Sequence, residues 1–353
     1  MVRVSEDVWS AQDTNPDAID AALRELLRER HAANEALAPA RILNLVVIVD
    51  REWKGEIANR LARVGRYHAS RTVLCAVEER RTKLDAVASV SYDEPNDGRL
   101  GVMREHVEID LGPEHLLALQ TIVDPVLVTE IPTVVWSPHG HPEAVEALLP
   151  LIDVMLLDSD DLDDPSEAFA RAEHLRRYAY IVDLAWLRTT PWRERLAATF
   201  DLPERLAALR EIEALEVCHR ESSMASALLL AGWLSSRLQW QHSHLRPQDG
   251  RVAGQARNGS IDVEVALRTA DQEAPGLAGV TVSCANGIAL SLQRGAGGLD
   301  AHLRRRDGAE REWKILGASR GEGGILGEGV RQALLRDPTY LPALDAAREL
   351  CPV

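Results

Sequence analysis

Ile19, Leu23, Leu26 and Leu27 recur at the spacing of one helix face. The preceding Asn15-Pro16-Asp17 reads as an N-cap, a proline at the first helical position and an acid in the first turn. Residues 41–50, RILNLVVIVD, form a near-continuous apolar run, the pattern of a strand buried on both faces. A second helical stretch, 52–64, keeps Trp53, Ile57, Leu61 and Val64 in register, and 72–77 is again a short apolar strand. This β–α–β unit predicts a parallel sheet. Residues 84–92 and 102–111 fit an antiparallel hairpin at a sheet edge, with a turn in Asp93–Gly98 and alternation at Val107, Ile109 and Leu111. Helices at 113–123, 141–149 and 165–177 then alternate with strands at 132–136, 153–157 and 179–184.

The second half follows another plan. Thr190-Pro191 caps a helix to about residue 199, and 211–218 is a strand. Residues 224–238 are apolar nearly all round, which predicts a central buried helix. The polar, Gly-containing stretch 248–259 breaks the pattern. Short strands follow at 261–267, 279–284, 288–292, 301–305 and 312–316, then helices at 325–335 and 342–350. The expectation is an α/β domain over 1–184, with a mostly parallel, helix-covered sheet, and an α+β domain over 185–353.

Composition narrows the function classes. The 353 residues carry a net charge of −15, a poor basis for general nucleic-acid binding, and 46% are hydrophobic, enough for a sizeable core. No apolar run approaches the ~18 residues of a membrane span. Residues 1–17 hold acids and no hydrophobic stretch, so no signal peptide is expected. Cys75, Cys218, Cys284 and Cys351 form no CxxC pair, which fits a reducing cytosol. Cys75 and Cys284 sit in apolar strands and should be inert, with Cys351, near the end, the most accessible.

Candidate chemistry is sparse. The run 321–329, GEGGILGEG, fails both the GxGxxG and the GxxxxGK[ST] spacing and reads best as a flexible turn, with an anion site as the alternative. His139-Gly-His141 and His242-Ser-His244 lack a third ligand nearby and read as exposed loop histidines. Asp50, Ser137, Asp158, Ser159 and Asp183 fall at the carboxyl ends of strands, where α/β sheets keep ligands, although capping and turn chemistry use the same residues. No GxSxG or HExxH and no convincing Cys–His pair occurs, so no catalytic centre, metal or cofactor is expected. Ser70 and Arg71 could hold a phosphate on an arginine fork. The segment 183–195, DLAWLRTTPWRER, sets two Trp and three Arg beside the domain junction. Trp186, Arg188, Trp192 and Arg193 are candidate partner-binding residues, and the alternative is that both rings are core.

The strings DLAWLRTTPWRERLAATFD, ARILNLVVIVDREWKGEIANRLARVGRYHASRTVLCAV and SSMASALLLAGWLSSRLQW resemble the glucose-6-phosphate dehydrogenase assembly protein family, OpcA, in the same order from about residue 15 to beyond 330. The resemblance implies a cytoplasmic, non-catalytic protein that binds glucose-6-phosphate dehydrogenase, promotes its active oligomer and so controls the oxidative pentose phosphate pathway. The acidic balance and the lack of an apolar span imply no nucleic-acid or membrane partner. In photosynthetic members the resemblance also implies thioredoxin control through cysteines, and this chain departs from that pattern in having no closely spaced pair near its C-terminus. The rival reading is a sugar-phosphate sensor or enzyme that uses the carboxyl edge of the first sheet, with Ser70 and Arg71 as its candidates. A pure scaffold without effect on activity is the third.

Overall fold

The computed structural model describes residues 4–33, 41–64, 69–93, 103–317 and 321–352. The chain forms two units. The first takes Met1–Leu157, Leu175–Val182 and Leu326–Leu334, and the second takes Asp158–His174, Asp183–Ile325 and Leu335–Val353. The division is therefore not one cut at 184/185.

In chain order, the first unit is built from β1 (Val4–Ala11), α1 (Pro16–Ala33), β2 (Leu43–Asp50), α2 (Lys54–Val64), β3 (Ser70–Val77), β4 (Asp85–Asp93) and β5 (Met103–Leu111). Then come α3 (Leu119–Val123), β6 (Thr133–Trp136), α4 (Pro142–Leu148), β7 (Val154–Leu157) and, after α5 (Pro165–Leu175), β8 (Tyr180–Asp183). The eight strands lie in the order β1-β4-β5-β3-β2-β6-β7-β8. The pairs β5–β3, β3–β2, β2–β6 and β6–β7 are parallel, and β1–β4 and β4–β5 are antiparallel.

Leaving aside β1 and β4, the order numbered from β2 is 3-2-1-4-5-6, the doubly wound arrangement of dinucleotide-binding folds. β2 and β3 are buried along nearly their whole length, as a parallel strand covered on both faces must be. The expected hairpin exists, but it is not an edge. β5 joins the parallel sheet, and β1, a strand not expected from the sequence, covers β4 in register from Val4–Asp93 to Ala11–Ala86. The Glu94–Gly98 part of the expected turn lies outside the described residues.

The second unit continues with α6 (Leu184–Arg188), α7 (Thr190–Phe200), α8 (Pro203–Leu206), β9 (Ile212–His219), α9 (Met224–Leu238), β10 (Gln241–His242), β11 (Arg246–Gln248) and β12 (Arg251–Asn258). It ends with β13 (Ile261–Thr269), β14 (Leu277–Cys284), β15 (Ala289–Gly295), β16 (Gly298–Arg304), β17 (Glu310–Leu316) and α11 (Tyr340–Leu350), while α10 (Gly321–Gln332) has Leu326–Gln332 in the first unit. Its sheet runs β10-β12-β13-β9-β14-β15-β16-β17, with β11 on β12, and is antiparallel except for β13–β9.

α9 lies on β9 and β13 with its run from Ala225 to Gly232 buried, as its apolar circumference predicts, and α11 packs along it. Gly232 permits that close crossing: a Cβ there would stand 2.4 Å from the Ala343 carbonyl oxygen and 2.7 Å from the Ala347 nitrogen. Two expectations are corrected. Residues 251–258 of the polar stretch are strand β12, and 321–329 lies inside α10 rather than in a turn.

Candidate functional site

In a doubly wound sheet the ligand crevice lies outside the carboxyl ends of the strands where the order reverses, here between β2 and β6. A dinucleotide needs a Gly-rich turn there, so that backbone N–H groups can approach the pyrophosphate. β2 ends instead at Asp50 and runs through the single 3₁₀ turn Arg51–Trp53 into α2. The first glycine is Gly55, already inside the helix α2. The turn between β2 and α2 therefore lacks the Gly-rich sequence that a dinucleotide site of this fold uses.

Side chains from the end of β2 and from the loop after β6 meet beside this crevice. Beyond β6, Ser137 Oγ donates to the Gly140 carbonyl at 2.5 Å, and the chain turns through Gly140 (φ 98°) and His141 (φ 52°) into α4. His141 Nε2 stands 3.1 Å from Asp50 Oδ1, and the His139 ring lies 5.4 Å from the Trp53 ring. Burial holds the His139 imidazole below its usual pKa. These histidines are half-buried, not the exposed loop residues expected from the sequence. Among the described residues no group of three or more His, Cys, Asp or Glu side chains could hold a metal ion.

The anion fork is also corrected. Ser70 and Arg71 begin β3 opposite Leu43 and Asn44 of β2, at the amino edge of the parallel sheet rather than the carboxyl edge. Arg71 is buried and committed. Its Nε donates to Glu105 at 2.6 Å and its NH1 to the Val126 carbonyl at 2.7 Å, while Ser70 Oγ lies 3.3 Å from Thr72 Oγ1. No donor pair is left for a phosphate.

The second unit holds a buried ionic cluster around the Trp/Arg segment. Arg188 grips Asp158 with two parallel bonds, NH1 to Oδ1 at 2.7 Å and NH2 to Oδ2 at 2.6 Å, and its NH1 lies 3.6 Å from Asp160. Asp160 accepts from the Ser226 amide and hydroxyl. Asp183 accepts from the Ser159 amide and hydroxyl, the Ala185 amide that opens α6, and the Tyr340 hydroxyl at 3.1 Å. Burial first, and the neighbouring Asp158 charge second, push the Asp160 carboxyl group well above its usual range. The same two causes push Asp183 up to about 6.

Beside this cluster the Arg193 guanidinium lies 3.4 Å from the centre of the Trp186 ring and donates to the Thr189 and Thr190 hydroxyls, while Trp186 Nε1 donates to Asp337 at 2.9 Å. Burial lowers the Arg193 pKa to about 10. Trp186 is 2% exposed, Arg188 8% and Trp192 1%, and the Arg193 side chain 11%. The partner-binding surface expected at these four residues is thus an interior. Both rings are core, and the guanidiniums face carboxylates, hydroxyls and an indole.

Asp158, Ser159 and Asp183 were legible in the sequence as strand-end residues, but Asp160, Asp161, Ser226 and Tyr340 were not. The only local signal was the acidic run 158–161 itself, Asp158-Ser-Asp-Asp161. All four cysteines are free, and Cys351 is only 5% exposed, so Cys218, half-buried on β9, is the more accessible thiol.

Residues 61–174 match the family profile described as glucose-6-phosphate dehydrogenase subunit N-terminal domain, and residues 179–344 match the corresponding C-terminal domain. The chain belongs to the OpcA family. OxPP cycle proteins OpcA of Synechococcus elongatus, Synechocystis sp. and Nostoc punctiforme are 34%, 32% and 30% identical over 38%, 34% and 36% of this chain. Those alignments span only 31%, 26% and 29% of the relatives' own lengths. Among solved structures, a super-repressor mutant of Gal80p from Saccharomyces cerevisiae covers 88% of this chain and 94% of its own, with 8% identity and a TM-score of 0.48.

Proposed function

We propose that this chain is a non-catalytic partner of glucose-6-phosphate dehydrogenase. It binds the enzyme, promotes its active oligomer and thereby controls entry into the oxidative pentose phosphate pathway, in the cytoplasm. The observation that carries this reading is the pair of OpcA-family profiles, both named for that dehydrogenase, which follow one another along most of the chain. The absence of a Gly-rich turn between β2 and α2 at the switch point supports its non-catalytic half. Among the described residues no helix is long and apolar enough to cross a membrane.

Initial rates of the purified dehydrogenase of the same organism, with and without this protein, test the reading. A higher rate or a lower KM for glucose 6-phosphate is expected. Binding with unchanged kinetics would leave a scaffold, and reduction of nicotinamide dinucleotide by this chain alone would make it an enzyme.

A further inference from the structure

In the second unit a cavity of about 230 Å³ opens between α7 and α9. Leu196 and Phe200 line it from α7, Trp233 and Leu234 from α9, and Ile212 and Val282 from the sheet. At its mouth stand Arg237 and Asp201, both exposed. Neither side chain makes a hydrogen bond or ion pair among the described residues. Just beyond Asp201 along the chain, Leu202 is 42% and Leu206 54% exposed. Apolar surface with a charged rim is the composition of an interaction site rather than of ordinary surface.

Size selects the occupant. An apolar cavity of about 150 Å³ takes one benzene-sized group, while sites for small molecules commonly run to roughly 300–1,000 Å³. This hollow suits one large apolar side chain. A second copy of the chain is disfavoured, because each carries a net charge of −15. The unpaired Arg237 calls for a carboxylate next to the apolar group.

Resting on the reading that glucose-6-phosphate dehydrogenase is the partner, we propose that this cavity receives one apolar side chain of that enzyme, with a neighbouring carboxylate of the enzyme paired to Arg237. The helices that form the hollow, α7 and α9, belong to two of the three strings on which the family resemblance rests. The place of contact is then the open end of α7, not the buried Trp186–Arg193 segment.

The test measures the affinity of immobilised dehydrogenase for the full chain and two variants. Ala197→Trp fills the cavity from its half-buried rim, and Arg237→Glu reverses the exposed charge without touching the core. Each should weaken binding about tenfold or more, with Arg237→Glu keeping the parent melting temperature. If Ala197→Trp unfolds the chain, Arg237→Glu decides alone. If the parent binds and the folded variants bind within about twofold of it, the cavity is not the contact and the partnership stands. If the parent does not bind, the partnership itself fails. Self-association of the parent that both variants abolish would assign the cavity to a second copy and overturn the proposal.

Discussion

Asp160 caps a helix to which it does not belong. Its carboxylate takes the Ser226 amide at 3.0 Å and the Ser226 hydroxyl at 2.6 Å, and Ser226 is the third residue of α9. That is the bond an N-cap side chain makes from within the chain, but Ser223, which precedes the helix, makes none. Asp160→Ala should therefore lower stability by about 2 kcal/mol or more, a lost cap together with a buried polar group left unpaired. Urea unfolding measures it, and a midpoint equal to that of the parent would show that the Asp160 cap contributes nothing.

Arg188 makes the opposite of a surface prediction. From the sequence, Arg188→Ala is expected to spare the fold. Its side chain is 7% exposed and doubly bonded to Asp158, so truncation leaves a buried carboxylate unpaired. A loss of about 3–5 kcal/mol is expected by urea unfolding, and Arg188→Lys should recover only part of it because one ammonium cannot reproduce the fork. A variant as stable as the parent would contradict the buried pair.

The carboxylate cluster sets a pH dependence. Asp183 rises from 3.8 unfolded to about 6 folded, and Asp160 is raised as well. A raised folded pKa means that the folded state holds the proton more tightly. The stability it contributes is complete below about pH 4 and is lost as pH rises through 6 and above. Asp183→Asn removes this titrating group, which is 1% exposed, so the decline of the melting temperature between pH 5 and 8 should become shallower. Identical melting profiles for variant and parent from pH 5 to 8 would show that Asp183 does not titrate in this range.

How far the sequence reaches can be judged residue by residue. Local periodicity located β2, α2, the helix at Met224–Leu238 and most strand ends, because each signal lies within one element. The order of the sheet did not follow, since the β2–β6 neighbour relation joins residues some ninety positions apart and depends on pairing rather than pattern. β1 was missed because Glu6, Asp7 and Ser10 give it the polar look of an edge strand, and β12 because Gly254 reads as a break. In the structure that glycine lies under Leu245, whose Cδ2 would be 2.9 Å from a Cβ. The candidate site failed for the same reason. Which of several Arg and Trp side chains point inward is a tertiary fact, and Asp337 and Tyr340, which pack against Trp186 and Asp183, stand about 150 positions downstream.

Thiol reactivity follows burial. Burial pushes Cys75 and Cys284 up to about 12 and Cys351 up to about 11, so none should offer a thiolate near neutral pH. Cys218, half-buried beside Glu216, should be the first to take up iodoacetamide. Peptide mapping that finds Cys351 alkylated first would contradict the packing of α11's end.

The central claim is a partnership, and the mass of the complex tests it most directly. The protein should be mixed with the glucose-6-phosphate dehydrogenase of its own organism and passed over a sizing column with light-scattering detection. A partnership predicts one peak containing both chains, with a mass above that of the dehydrogenase oligomer alone. Two peaks at the separate masses, at concentrations where both proteins are folded, would contradict it.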